Sequence, residues 1–375
     1  MIRTARAFLL ALAMLSMGAS DASAGQFEKA AYYHAGQRPC QVAAAQLTNS
    51  GNTDLAVADY LTSQIFVLLG NGDGTFQQPI KLSIPSPVAL AVGDFNGDGK
   101  EDLAVVEYGG TGKSAVAILL GDGRGRFRVS ATYPSGVETT GVTVADFNGD
   151  GHDDVAVANN AGSVNVFFGT GKGTLGKPTT YRLPGTNPIS IAAGDLNGDG
   201  HPDLAVAEAI GGSVAVLLND GTGKFMKPVT YSAGGGEAWD VKIADLRNNG
   251  DQDLVVANVS QGMVVLLNNG DGTFGKPAIY RPCSGKCSAG PFACTVADFN
   301  LDGKLDVACS ASIDDSYFFY GKGDGAFGTA IAIANTIKNQ GGYSIASGDF
   351  NNDKAPDLAI PIEEYGKVAI MLNTQ

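Results

Sequence analysis

The sequence predicts an all-β fold, a seven-bladed β-propeller with four-stranded antiparallel blades. A nine-residue anchor with the pattern Asp-x-Asn-x-Asp-Gly-x-x-Asp recurs along the chain, with starts 48 to 53 residues apart. Glu, Lys and Leu do not cluster at helical spacing after the N-terminal segment, whereas the 52 Gly residues favour short strands and tight turns. A repeat of this length is typical of a propeller blade. The seven anchors, the first of them degenerate, begin at Gln46, Asp94, Asp146, Asp195, Asp245, Asp298 and Asp349.

Each repeat has room for four strands around its anchor. A short β-rich run such as residues 88–92 precedes the anchor, and an apolar run such as residues 103–106 follows it. The second run does not alternate in polarity, so both of its faces are expected to be buried. A third run such as residues 214–218 and a Gly-rich hairpin then lead to a fourth strand, such as residues 276–280. Four strands in about 50 residues is the size of a propeller blade.

The repeat resembles the FG-GAP/VCBS repeat of bacterial surface proteins and of the integrin α-subunit propeller. The resemblance is carried by the anchor, which reads Asp-Phe-Asn-Gly-Asp-Gly-Lys-Glu-Asp at residues 94–102, and by its recurrence over almost the whole chain. It implies a propeller with calcium loops between the first and second strands of each blade. It implies little about the ligand, because such propellers serve adhesion, lectin and enzyme-associated roles.

The anchor has the chemistry of a calcium loop. Calcium prefers six to eight oxygen ligands, which positions 1, 3, 5 and 9 supply from side chains and position 7 from its carbonyl. Gly at position 6 permits the left-handed turn that folds the loop around an ion. No Cys or His recurs at ligand positions, which argues against zinc or copper. The alternative is that these Asp and Asn residues only shape tight turns.

Four anchors are complete, and a fifth keeps every ligand but has Lys354 at position 6, which predicts a weaker site. Arg247 replaces the ligand at position 3 of the anchor at Asp245, and the anchor at Gln46 retains only Asp54 as a charged residue, so both are predicted to be metal-free. The predicted metal ligands are Asp94, Asn96, Asp98, Asp102, Asp146, Asn148, Asp150, Asp154, Asp195, Asn197, Asp199, Asp203, Asp298, Asn300, Asp302, Asp306, Asp349, Asn351, Asp353 and Asp357.

The N-terminus has the pattern of a secretory signal peptide. Arg3 and Arg6 precede an apolar run at residues 7–17, and Ala22-Ser23-Ala24 matches the small-x-small cleavage pattern. The run is too short to span a bilayer. We therefore expect residues 1–24 to be removed and residues 25–375 to form an exported propeller in the periplasm, in the medium or on the cell surface.

Charge and motifs exclude several function classes. The formal net charge of −13 excludes nucleic-acid binding through phosphate contacts, which Lys and Arg would have to provide. There is no G-x-S-x-G elbow and no H-E-x-x-H motif, and the three His residues form no cluster in the sequence. The sequence therefore predicts no catalytic residue and no cofactor besides calcium, in a monomer that does not span a membrane.

Two functions stay open. One is a non-catalytic binding or adhesion module for a glycan or protein on the face opposite the calcium loops. The other is a polysaccharide-directed enzyme that uses carboxylates on that face. Trp239, the only Trp, follows a Gly-rich stretch in a predicted loop between blades, where it either stacks on a sugar or packs in the core. Polar residues that end the second strands either start turns or form a ring around the channel mouth. They are Asp59, Glu107, Asn159, Glu208 and Asn258.

The cysteines and the chain ends give two further expectations. An exported protein favours disulfides, and we expect the pairs Cys283–Cys287 and Cys294–Cys309, with Cys40 left over. Residues 25–27 match the hairpin before a fourth strand, whereas the C-terminus ends on a third strand. Pairing of residues 27–34 with residues 367–372 would therefore complete the seventh blade and remove an exposed edge.

Overall fold

The computed structural model describes residues 26–109, 113–282, 290–311, 316–333 and 342–375. In these ranges the chain forms 28 strands, which pair into seven four-stranded antiparallel sheets, and a short 3₁₀-helix at Glu363–Tyr365. The first strands of successive sheets contact one another, and the sheet that contains the C-terminus contacts the sheet of residues 39–83, which closes the ring. The predicted seven-bladed propeller is confirmed.

Blades 1 to 6 follow the chain in order, and blade 7 takes its outer strand from the N-terminus. Blade 1 contains β2 (Pro39–Ala45), β3 (Asp54–Asp59), β4 (Gln64–Leu68) and β5 (Ile80–Ser83), and blade 2 contains β6 (Pro87–Gly93), β7 (Asp102–Glu107), β8 (Ser114–Gly121) and β9 (Phe127–Gly136). Blade 3 contains β10 (Thr139–Ala145), β11 (Asp154–Asn159), β12 (Ser163–Phe167) and β13 (Thr179–Arg182), and blade 4 contains β14 (Thr186–Gly194), β15 (Asp203–Ile210), β16 (Ser213–Leu217) and β17 (Val229–Ser232). Blade 5 contains β18 (Ala238–Ala244), β19 (Asp253–Asn258), β20 (Gly262–Leu266) and β21 (Ala278–Tyr280), and blade 6 contains β22 (Ala293–Ala297), β23 (Asp306–Ser310), β24 (Tyr317–Phe319) and β25 (Ile331–Ala332). Blade 7 contains β26 (Ala346–Gly348), β27 (Asp357–Ile362), β28 (Lys367–Met371) and β1 (Ala31–His34).

The core lies between neighbouring blades. The second strands are buried on both faces, as their unbroken apolar runs predict, and every residue of β3 is buried. Position 2 of each anchor adds a large buried side chain that seals the end of the blade, a role that the sequence analysis did not assign. These side chains are Leu47, Phe95, Phe147, Leu196, Leu246, Phe299 and Phe350.

The anchors join the first and second strands of each blade, at one end of the ring. Residues 94–101, for example, connect β6 to β7. We call this end the anchor face. The connections between strands 2 and 3, and those between successive blades, lie at the other end, which we call the opposite face. No helix in the described ranges is long and apolar enough to cross a membrane.

The N-terminal segment closes the ring. Strand β1 pairs with β28 in antiparallel register, from Ala31 opposite Ile370 to His34 opposite Lys367. The Glu28 amide donates to the Leu372 carbonyl at 2.7 Å, which extends the pairing toward the chain ends. The predicted closure of blade 7 is therefore confirmed. Because β1 pairs with β28, the third strand of blade 7 has no unpaired edge.

One predicted disulfide is confirmed. Cys294 and Cys309 are directly opposite each other on β22 and β23, and their sulfurs are bonded. Cys40 is a free thiol. The predicted partners Cys283 and Cys287 lie outside the described residues.

Truncation of Phe27 should weaken the closure of the ring by the N-terminal segment. Its ring packs edge-on against Phe299 and Phe318 of blade 6, with centroids 6.0 and 6.2 Å apart. We expect Phe27→Ala to lower the free energy of unfolding by about 3 kcal/mol, the typical cost of a large core truncation. The neighbouring Glu28 is exposed, so Glu28→Ala should change it by less than about 0.5 kcal/mol. Urea unfolding followed by circular dichroism measures both, and equal effects would contradict a closing role for Phe27.

Candidate functional site

The carboxylate at position 1 organises each complete anchor loop. In blade 2, Asp94 accepts backbone hydrogen bonds at 2.8 Å from Gly97 on one oxygen and from Gly99 on the other. Blades 3 and 4 repeat this arrangement around Asp146 and Asp195. The loop is therefore wrapped around its first residue, as an Asx turn is.

The carboxylate at position 9 forms the floor of the loop. Asp102 is fully buried at the start of β7, and it accepts hydrogen bonds from the Phe95 amide at 3.1 Å and the Gly121 amide at 2.7 Å. Burial raises the pKa of this carboxyl, because an ionised group loses its hydration there. The raised pKa is about 6 for Asp102, Asp154, Asp203 and Asp306 and about 7 for Asp357.

Positions 3 and 5 are engaged in local contacts. Asp98 forms an ion pair of 2.8 Å with Lys100, and Asp302 forms one of 3.0 Å with Lys304. In blade 3, the Asn148 amide donates to the Asp150 carboxylate at 3.1 Å. With these rotamers, no three His, Cys, Asp or Glu side chains within the described ranges converge as metal ligands. In blades 2 and 6, a cation would have to displace the lysine at position 7 from the carboxylate at position 5. Both members of each pair are partly exposed at the surface, so this exchange is open to them.

Blade 5 carries a built-in positive charge at the floor of its loop. The Arg247 guanidinium contacts Asp253, at position 9, through Nε at 3.1 Å and Nη2 at 2.8 Å, and also donates to the Asn268 carbonyl at 2.8 Å. In blade 1, the Thr48 hydroxyl at position 3 donates to Asp54 at 2.9 Å. In these two anchors position 3 thus supplies a donor to the buried carboxylate. The five anchors predicted to bind calcium have Asn at position 3, and their floor carboxylates accept only backbone bonds among the described contacts.

Position 6 of the anchor has a left-handed backbone conformation, which restricts the residue it can hold without strain. Position 6 has a φ of 75° at Gly99 but carries a side chain at Lys354, where φ is 76°. We expect Lys354→Gly to stabilise the protein by about 1 kcal/mol, because only Gly adopts this region without cost. Gly99→Ala should destabilise it by a similar amount through backbone strain alone, since a Cβ there would meet no atom within 4 Å. Urea unfolding measures both. A neutral Gly99→Ala variant would contradict the assigned strain.

The floor carboxylates predict an unusual pH dependence in calcium-free buffer. Their pKa of about 6 or above in the folded chain, for example at Asp102, exceeds the ordinary aspartate pKa of 3.8, so the folded state binds protons more tightly than the unfolded state. Stability in EGTA should therefore fall as pH rises from about 4 to 7. Asp102→Asn, which removes one such group, should flatten the slope. Thermal unfolding at pH 5 and 7 measures it, and an unchanged slope in the variant would contradict the assignment.

A second feature lies on the opposite face, where the ring encloses a central cavity of about 580 Å³. Every blade contributes the residue that precedes its anchor by six positions. In blades 5, 6 and 7 these residues are aromatic, and they form the cluster Trp239–Phe292–Tyr343, with centroids 4.8 Å apart for the first pair and 4.7 Å for the second. In blades 1 to 4 the side chain at this position is smaller and not aromatic. The residues are Cys40, Val88, Thr140 and Ile189.

Two ion pairs line the same cavity. Lys242 contacts Asp240 at 3.0 Å, and Asp240 also accepts hydrogen bonds from the Ser190 hydroxyl at 2.8 Å and the Cys294 amide at 3.1 Å. Arg38 contacts Glu363 at 3.0 Å. The charges of the two acidic and two basic side chains in the lining therefore cancel.

Tyrosines from blades 1 and 2 add a second aromatic contact to the cavity wall. Tyr60 and Tyr108 lie just after the second strands of their blades, and their ring centroids are 6.1 Å apart. Aromatic side chains thus reach the cavity from five of the seven blades.

Trp239 differs in place from the sequence-based expectation. It lies within β18 and not in the preceding loop, and its indole donates to Glu237 at 3.1 Å. It is half-buried at the cavity wall. Phe292 and Tyr343 were not predicted from the sequence to line a site. Alignment of the repeats on their anchors would have found both, because they share its offset of six residues.

Most of the polar residues that end the second strands serve turns. Asp59 accepts hydrogen bonds from the amides of Gln37 at 2.7 Å and Thr62 at 2.6 Å, and Asn258 donates to the carbonyls of Ala233 and Gly235. These side chains are buried, as are those of Asn159 and Glu208, whereas Glu107 is half-buried. The turn interpretation is favoured over a polar ring around the channel.

The repeats match a known family. The family described as "FG-GAP-like repeat" matches residues 46–105, 94–157, 146–206, 195–256, 245–309 and 298–360, so that each match runs from one anchor into the next repeat. No curated protein matches the chain.

Two solved structures are similar over most of the chain. One is a lectin of Agrocybe aegerita described as recognising non-reducing terminal N-acetylglucosamine, with 20% identity, a TM-score of 0.57 and coverage of 86% of this chain and 85% of that one. The other is from the crystal structure of BBS1N in complex with ARL6DN, with 12% identity, a TM-score of 0.64 and coverage of 94% and 98%. At these identities the likeness supports the fold alone.

Proposed function

Because the chain belongs to the family of FG-GAP-like repeat proteins, we propose that it is an exported, calcium-binding propeller that binds a glycan or protein without catalysis. The observation that carries the proposal is the central cavity of the opposite face, which is lined by aromatic or charged side chains from five of the seven blades. A concave, largely apolar pocket with a few convergent polar groups is typical of a binding site.

The anchor loops support calcium as the resident ion. Arg247 is the informative residue, because its guanidinium places a positive charge on the floor carboxylate of an anchor that is predicted to be metal-free. The five anchors predicted to bind calcium offer an Asn oxygen at position 3 instead, and oxygen donors of this kind suit calcium. When bound, calcium would neutralise the crowded carboxylates of positions 1, 5 and 9 and hold the turn between the first two strands.

Calcium in this place would be structural. The loops lie on the anchor face, whereas the cavity opens on the opposite face, so the ions would not contact a ligand bound in the cavity. Their expected contribution is stability, by mass action on the folded state.

Removal of calcium should lower the melting temperature. We expect EGTA to reduce it, and Asp98→Ala to shrink the difference between calcium and EGTA, because position 5 supplies a ligand side chain. The matched variant Asp251→Ala alters position 7 of the Arg247 anchor, where no calcium is proposed, and should leave that difference unchanged. Differential scanning calorimetry measures all three proteins. A melting temperature insensitive to EGTA would count against calcium binding.

Export is supported by the disulfide between Cys294 and Cys309, which suits an oxidising compartment. It also agrees with the signal-peptide pattern of residues 1–24.

Binding without catalysis is supported by the state of the cavity carboxylates. Glycoside hydrolysis needs one protonated carboxyl and a second free carboxylate beside the sugar. Asp240 and Glu363 are instead each paired with a cation, and Asp240 also accepts hydrogen bonds from Ser190 and Cys294. Both carboxylates are therefore already engaged by partners within the protein.

Exposed apolar side chains on the opposite face extend the binding surface around the cavity. Leu61 and Val137 lie on its loops, Ile210 ends β15 and Tyr365 ends the 3₁₀-helix, and each is more than two-fifths exposed. Apolar groups on rigidly held loops are suited to contact with a macromolecular ligand.

A binding screen combined with a turnover assay tests the function. The calcium-loaded protein is applied to glycan and protein arrays, and the same polysaccharides are assayed for release of reducing ends. We expect retention without release. Release that is abolished by Asp240→Asn would replace the binding module with a polysaccharide-directed enzyme.

A further inference from the structure

We propose that the central cavity takes a neutral carbohydrate, with a sugar ring against the Trp239–Phe292–Tyr343 cluster and its hydroxyls on the two ion pairs. This inference rests on the proposed binding function and specifies its ligand. It follows from the chemistry of the lining, its charge balance and its size.

The aromatic cluster provides a stacking surface. Phe292 lies between Trp239 and Tyr343, and it meets both edge-on at interplanar angles of 73°. Trp239 and Tyr343 are inclined by only 37° to each other, and Tyr343 is 38% exposed. The faces of such rings carry negative charge density, which attracts the polarised C–H groups on one face of a sugar.

The ion pairs select for a ligand without net charge. An anionic ligand would meet Asp240 and Glu363 close to the cations that could bind it, and a cationic ligand would meet Lys242 and Arg38. Hydroxyl groups can accept from the cations and donate to the carboxylates while both pairs stay intact. Hydrogen bonds to charged partners are also stronger than those between neutral groups.

The cations are placed to reach such hydroxyls. The side chains of Lys242 and Arg38 are 40% and 54% exposed, whereas their partners Asp240 and Glu363 are 9% and 14% exposed. In each pair, a largely buried carboxylate thus holds a cation whose N–H groups are exposed to the cavity. The first pair belongs to blade 5, and the second joins Arg38, directly before β2 of blade 1, to Glu363 of blade 7.

The dimensions suit a short oligosaccharide. A volume of about 580 Å³ lies within the range of about 300–1,000 Å³ typical of small-molecule sites. Because the cavity opens on the opposite face, one end of a sugar chain can enter while the rest remains outside.

The single tryptophan makes the test direct. Trp239 is the only Trp in the chain, so its fluorescence reports on this cavity and on no other place. The full mature protein with calcium is titrated with neutral oligosaccharides of two to four units and with matched oligosaccharides that contain uronic acids. We expect a neutral oligosaccharide to shift the emission, and the uronic-acid series to bind about tenfold more weakly or not at all.

Variants locate the site by calorimetry. Trp239→Ala should weaken binding of the neutral oligosaccharide by about tenfold or more, in the range for loss of an aromatic anchor. Trp239→Phe should restore part of it. Val229→Ala, on an outer strand and 52% exposed, is the control and should bind as the wild type does. Melting temperatures of all variants establish that they are folded.

Three outcomes would overturn the inference. Neutral-sugar binding that survives Trp239→Ala would place the site elsewhere, although the chain would still be a binding module. A preference for uronic acids would contradict the charge argument. Binding of a protein ligand with no response to any neutral oligosaccharide would reject the carbohydrate while leaving the proposed binding function in place.

Discussion

The buried carboxylate at position 9 is the interaction on which the repeat depends. In every blade it accepts a backbone hydrogen bond from a residue at the end of the third strand or two residues beyond it. Gly121, the last residue of β8, donates to Asp102 in blade 2, and Gly70, two residues after β4, donates to Asp54 in blade 1. It thus links the anchor loop to the end of the third strand of the same blade. This explains why Asp54 is retained in the degenerate first anchor, where the other carboxylates are gone.

A buried carboxylate needs compensation, and the blades provide it in different ways. Blade 1 uses the Thr48 hydroxyl and blade 5 the Arg247 guanidinium. A guanidinium is a permanent charge, whereas a calcium ion depends on its concentration. The proposed calcium sites would make five blades responsive to calcium and leave blades 1 and 5 independent of it, so that loss of the ion would loosen the ring unevenly.

The fold could be predicted because its determinants are local and repeated. The spacing of the anchors fixes the number of blades, and the mismatched chain ends predict the pairing of β1 with β28. The cavity could not be predicted in this way. Trp239, Phe292 and Tyr343 are about fifty residues apart in the chain, and nothing within a single repeat marks them as neighbours. The packing of blades 5, 6 and 7 against one another brings them together. For the same reason the role of Asn258 could not be decided from the sequence, because the carbonyls to which it donates, those of Ala233 and Gly235, lie in the connection between blades 4 and 5.

The two faces of the ring divide the requirements of stability and recognition. On the anchor face the repeats are nearly alike, because each loop must satisfy the same buried carboxylate. On the opposite face the position six residues before the anchor holds a different residue in each of the seven repeats. Aromatic residues occupy it in blades 5, 6 and 7, whereas Thr140 and Ile189 occupy it in blades 3 and 4. A symmetric scaffold therefore carries an asymmetric cavity, and a ligand bound there would have one orientation relative to the ring.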